Sequence, residues 1–191
     1  MWGVVSVKLP WRRVPPLPQE VLDQLALGPG DRVLAWGVDT ATQAWVVASV
    51  YALHQVPAGV GDGSSPSAVA AAGSLRWRRP WWHVAAGAWE PRTRTITVTW
   101  ADGSRPSMWS FEGERVVLAA VVQDRVTASV VVSVPAAAGE RELGRVSLRK
   151  DLERGTLIDQ VVPRRGVDVT DPEVRAAFDA IVADLREQAG I

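Results

Sequence analysis

Polar and apolar positions along this 191-residue chain change period several times, and each change marks an element. In "PLPQEVLDQLALGPG", Val21, Leu22, Leu25 and Leu27 fall near helical spacing and Gly28-Pro29-Gly30 closes the segment, which predicts a short helix. "DRVLAWGVD" and "AWVVASVYALHQV" are rich in β-branched and aromatic residues and are separated by the turn-forming stretch Asp39–Thr42, so they open an antiparallel meander. Apolar residues occupy both phases of the second run, which is therefore either buried on both faces or bent into two consecutive strands. Residues 57–74 are too rich in Gly, Ser, Ala and Pro to supply a core and predict a mobile loop.

The clearest β signal follows in "TRTITVTWADGSRPSMWSF". Ile96, Val98 and Trp100 share one face, Thr95, Thr97 and Thr99 the other, and Asp102-Gly103 turns the chain into a strand holding Trp109 and Phe111. From Glu114 to about 127 the period becomes helical, with Val117, Leu118, Val121 and Val122 on one side. "SVVVSV", "GRVSLRKD" and "TLIDQVV" then predict three short strands. A closing helix carries the stripe Val174, Ala177, Phe178, Ile181, Val182 and Leu185, with Thr170 and Glu173 at capping-box spacing, Pro172 in the first turn and Gly190 as the stop. The fold expected is α+β: a strongly bent antiparallel sheet or partly open barrel capped by a helix, plus a C-terminal annex of three strands and a helix. The expected division is a tail at 1–16, the barrel with its capping helix at 17–135 and the annex at 136–191.

The barrel segment resembles a pleckstrin-homology-like module of the kind found in small actinobacterial proteins. The residues that carry the resemblance are "GDRVLAWGVD", "WVVASVYALH", "WWHVAAGAWEPRTRTITVTWADGS" and "DRVTASVVVS". The resemblance implies a scaffold that binds phosphoinositides, peptides or protein partners and supplies no catalysis. "GVDTATQAWV", between the first two strands, holds no basic residue, which argues against the phosphoinositide-binding type.

Composition narrows the function further. Formal net charge is zero, which removes the overall attraction a non-specific nucleic-acid binder uses. There is no cysteine, so disulfides, thiolate nucleophiles and thiolate metal sites are excluded. No stretch reaches the ~20 apolar residues that cross a bilayer, and the basic residues of "MWGVVSVKLPWRRV" follow its apolar run, the wrong order for an export signal, so a cytoplasmic protein is expected. Only Lys8 and Lys150 are lysines; so strong a preference for arginine matches the codon bias of a GC-rich genome and tempers any reading of an arginine cluster.

Candidate catalytic chemistry is sparse. The two histidines, His54 and His83, have neither metal-ligand spacing nor cysteine partners, and both read as structural. The serines of the 57–74 loop lack a nucleophile elbow, its alternating glycines lack the helix of a phosphate loop, and no cofactor is implied. Binding residues are better represented. "RWRRPWWHVAAGAWE" gathers Arg76, Arg78, Arg79 and Trp82, and "KLPWRR" gathers Trp11, Arg12 and Arg13. Period two puts Trp77 and Trp81 on one face and Trp82, Arg76 and Arg78 on the other, so one of Trp81 and Trp82 belongs to the core. On a helix unbroken from Glu114 to Ser129, Arg125 falls between Val121 and Val122 on the apolar side. It reads either as a structural ion pair or as an anion-recognition point between barrel and annex.

The leading expectation is a non-catalytic adaptor that recognises a protein partner through a Trp/Arg surface. The alternative is nucleic-acid or anionic-ligand binding through residues 8–13 and 76–82, and an enzyme with an unrecognised site ranks last. The annex strands also offer a homodimer by pairing across a two-fold axis.

Overall fold

A computed structural model describes residues 16–57, 59, 77–113 and 116–191. Trp11, Arg12, Arg13, Arg76 and nearly all of the expected loop at 57–74 lie outside the described residues. Among the described residues the fold is α+β, with three helices and three antiparallel sheets.

Helix α1 (Gln19–Leu25) follows Pro18, and the chain then reverses through Ala26 in the left-handed conformation. Strands β1 (Val33–Val38), β2 (Trp45–Ser49), β3 (Ala52–Val56) and β4 (Trp77–Pro80) form a four-stranded meander. The run "AWVVASVYALHQV" is thus bent into two strands. Val50 and Tyr51 make the bend, and Asp31 Oδ1 accepts the Tyr51 amide at 3.2 Å.

Residues 77–90 are not one regular strand. Proline has no amide hydrogen to continue the ladder, and at Pro80 β4 gives way to a 3-10 turn, Trp81–His83, before β5 (Val84–Glu90) begins. β5 pairs with β6 (Thr95–Trp100), which pairs with β7 (Ser107–Ser110). The two sheets meet at an isolated bridge between Asp39 and Phe111. There the buried Asp39 accepts the Ser110 amide through Oδ1 and the Thr42 amide and hydroxyl through Oδ2.

Both sheets and helix α2 (Val116–Ser129) share one core, in which Ala35, Val46 and Leu53 meet Ile96, Val98, Trp100 and Trp109. Leu118, Val122 and Val126 form the buried stripe of α2. Expected Val117 and Val121 flank that stripe half-buried, because a spacing of four residues from Leu118 leads to Val122 and Val126. Gly37 permits the closest approach in this core: a Cβ there would lie 2.7 Å from the Phe111 ring.

The annex follows α2 without a linker. β8 (Val130–Ala138), β9 (Arg141–Lys150) and β10 (Leu157–Pro163) form a sheet with β9 in the centre, and α3 (Pro172–Ala189) covers one of its faces. The division expected at 135/136 falls inside β8. Val146, Val174, Phe178 and Leu185 give the annex an apolar cluster of its own. The α3 cap differs from the expected box: Asp171 is the N-cap and accepts from the Glu173 amide, while Thr170 turns its hydroxyl to Asp168. Pro172 in the first turn makes residue 171 the cap, where Asp is among the best acceptors. Gly190 ends the helix with φ of 74°.

Candidate binding site

The arginines of β4 are matched inside the chain. Arg78 Nη2 donates to Glu153 of the annex at 2.7 Å. Arg79 Nη1 donates to Asp102 at 3.2 Å, and its guanidinium lies 4.3 Å from the Trp100 ring centroid. Trp81 is the core member of its pair: it is 1% exposed, and its indole donates to Ser49 O at 3.1 Å. Trp82 is half-buried with its ring 3.9 Å from the His83 ring. Arg125 is half-buried and donates through Nε and Nη2 to the neighbouring Asp124. The structure therefore joins Arg79 to an aromatic cluster of Trp77, Trp100 and Trp109, and ties Arg78 and Arg125 to carboxylates elsewhere.

His54 is buried on β3, with Nε2 3.1 Å from the Ser49 hydroxyl. Burial, reinforced by the nearby Arg78 charge, lowers its pKa to about 4. Ser49 Oγ also lies 3.1 Å from both Ala52 O and Asp31 Oδ2, either of which can accept its one proton. In this cluster the carboxylate holds the serine rather than the imidazole, and the hydroxyl is fully buried. That is a different order from a nucleophile–base–carboxylate relay. It fastens the β2–β3 bend. Burial, followed by the Arg79 charge, also lowers the His83 pKa.

A more accessible feature lies along β5. β5 bonds to β6 on one side, and no described strand pairs with its other edge. Register with β6 turns Gly87 and Trp89 inward, opposite Val98 and Ile96, and leaves Ala86 and Ala88 outward. Helix α2 crosses close to this edge because Gly87 has no side chain: a Cβ there would sit 3.1 Å from Val122 Cγ1. Between strand and helix runs a groove of about 280 Å³ lined by Gly87, Trp89, Ile96, Ala119, Ala120 and Val122. Its volume is just below the roughly 300–1,000 Å³ of small-molecule pockets and suits one or two side chains. Sequence reading missed this groove, although the Ala-Ala-Gly-Ala run at 85–88 is its signature: small residues on a strand allow close approach.

Sequence reading also missed Arg149. It lies on β9, is 2% exposed, and donates through Nη2 to Trp81 O at 3.1 Å and Val84 O at 2.6 Å. Gln160 of β10 donates to Trp82 O, so three carbonyls of the 3-10 turn region are held from the annex. Arg149 Nε and Trp82 Nε1 are buried with no hydrogen-bond partner. Desolvation lowers the Arg149 pKa to about 10, which leaves it charged at neutral pH.

No group of three or more His, Asp or Glu side chains placed to hold a metal occurs among the described residues, and no described helix is long and apolar enough to cross a membrane. No family model matches the chain, and neither the curated proteins nor the solved structures contain a significant match.

Proposed function

We propose that this chain is a non-catalytic binding module that recognises an extended segment of a protein partner by strand addition at the β5 edge. The observation that carries the reading is the edge of β5 that no described strand pairs, beside a largely apolar groove floored by Gly87. An exposed edge presents alternate N–H and C=O groups to an incoming strand, and an adjacent pocket for its side chains supplies selectivity. Half-buried Trp89 gives the groove an aromatic wall of the kind that concentrates binding energy. The four-plus-three strand order, with α2 over the shared core, supports the pleckstrin-homology-like reading of residues 17–135.

This reading moves the contact surface from the Trp/Arg stretch to the next strand. Arg78 and Arg79 each already have a carboxylate partner, which also weakens the case for nucleic acid at 76–82.

The test is selection from a displayed random-peptide library, run with the native chain and with Ala120→Trp. Ala120 lines the groove but does not belong to the main core cluster, so the bulky ring fills the groove and spares the fold. Native protein should enrich peptides with alternating apolar residues, and their binding should slow hydrogen exchange of the β5 amides. Ala120→Trp should lose them by tenfold or more. Undiminished binding by the variant, or bound peptide with unprotected β5 amides, rules the reading out.

A further inference from the structure

The register of the annex sheet sorts its side chains by face. Val132, Val134, Val146 and Val161 lie on the α3 side, whereas Ser133, Arg145, Ser147, Arg149 and Gln160 share the other. Exposure falls inward along that second face: Arg145 is exposed, Ser133 half-buried, and Ser147, Gln160 and Arg149 buried. Arg145 Nη1 donates to Ser133 Oγ at 3.3 Å, and the Ser133 and Ser147 hydroxyls are 2.7 Å apart. Among the described residues no carboxylate lies within ion-pairing distance of Arg145 or Arg149.

Arg149 is therefore a buried cation held only by main-chain carbonyls. Unpaired charge is among the costliest things to bury, and folded proteins leave few buried donors unsatisfied. Here two occur at one turn: Arg149 Nε, beside the carbonyls of Trp81 and Val84, and Trp82 Nε1, on the residue between them. Guanidinium and indole nitrogens only donate, so whatever satisfies either must accept, and an acceptor that also neutralises the guanidinium is an anion.

We propose that a compact oxyanion, a carboxylate, phosphate or sulfate group, binds between this sheet face and the Trp81–His83 turn, with Arg149 as principal contact and the Trp82 indole as a second donor. Arg145, Ser133 and Ser147 continue the same polar face outward to solvent. Such a site joins the seven-stranded part of the chain to the annex, so occupancy strengthens their contact.

Thermal unfolding of the full chain, followed by tryptophan fluorescence, tests this with sodium phosphate, sulfate and acetate against chloride at matched ionic strength. At an oxyanion concentration tenfold above its dissociation constant, Tm should rise by about 3–6 °C. Chloride should leave it unchanged, and the acetate and phosphate arms separate carboxylate from phosphate recognition. Arg149→Met should abolish the rise. Trp82→Phe keeps an aromatic ring and removes the N–H, and should weaken the oxyanion five- to tenfold; it decides the matter if Arg149→Met does not fold. A native chain that responds no more to oxyanions than to chloride, or a Trp82→Phe variant with unchanged affinity, overturns the proposal and leaves ordered water as the acceptor.

Discussion

The body packs two sheets, seven strands in all, against α2 and the annex packs one sheet against α3, yet the joint between them is of a different kind from either core. The body closes around a main apolar cluster contributed by two sheets and α2, with a smaller one beneath α1, and the annex closes around its own cluster built with α3. The joint between them is mainly polar: Arg149 and Gln160 on the carbonyls at the 3-10 turn and the Arg78–Glu153 pair, with Leu152 adding an apolar contact to the main core. Apolar burial is non-directional and supplies cohesion, whereas a hydrogen bond adds only about 0.5–1.5 kcal/mol net but fixes orientation. The difference describes two cohesive units whose relative placement is specified by a few directed contacts.

The largest effects test whether the two cores are energetically separate. Trp81→Ala and Phe178→Ala each remove a buried aromatic, at a cost of about 3–5 kcal/mol. All ten tryptophans precede residue 110. The eight described ones lie in the body, two of them (Trp81 and Trp82) at its joint with the annex, so fluorescence reports mainly the body while far-UV circular dichroism reports both units. In urea, Phe178→Ala should show loss of dichroism ahead of the fluorescence change, and Trp81→Ala should lower the fluorescence midpoint. Coincident transitions for Phe178→Ala mean that the joint couples the units into one, and the contrast fails.

Most of this architecture is legible in the sequence, because period and turn chemistry determine it locally. Ile96, Val98 and Trp100 on alternate positions, the Gly28-Pro29-Gly30 stop and the α3 stripe need no tertiary information. The Arg76–Glu90 stretch is harder, since Pro80 breaks the period on which its two faces depend. The site is least legible. Arg145, Ser147 and Arg149 alternate with Val146 and Leu148, which by itself marks a polar face; only the fold shows that the body covers one end of it. Helical arithmetic leaves Arg125 two readings, and its pairing with Asp124 is the structural ion pair; the arginine that reaches the junction between body and annex is Arg149.

A smaller effect should separate the units by pH. Both histidines precede the annex, and His54 is buried with its pKa lowered from 6.5 to about 4. The unfolded chain therefore binds this proton more tightly than the folded one. The stability the neutral ring contributes is complete above pH 6.5 and is lost as pH falls towards 4. The loss is on the order of 3 kcal/mol at most. Fluorescence-detected stability should fall over this window, and His54→Gln should flatten the slope. Unchanged steepness in the variant assigns the acid response to other groups and removes this distinction between body and annex.

The smallest expected effect comes from the joint itself. Arg78 and Glu153 are 2.7 Å apart, but their side chains keep 33% and 38% of their exposure, so water and salt screen the attraction. Glu153→Gln should cost no more than about 1 kcal/mol, and the cost should shrink further in 0.5 M salt. The change should nonetheless be localised: hydrogen exchange should quicken in β10 and in the β9–β10 turn while the β5–β6–β7 amides keep their protection. If the loss exceeds about 2 kcal/mol, or protection falls in both units together, the ion pair is part of a shared core rather than an orienting contact. The body and annex would then have to be treated as one cooperative structure.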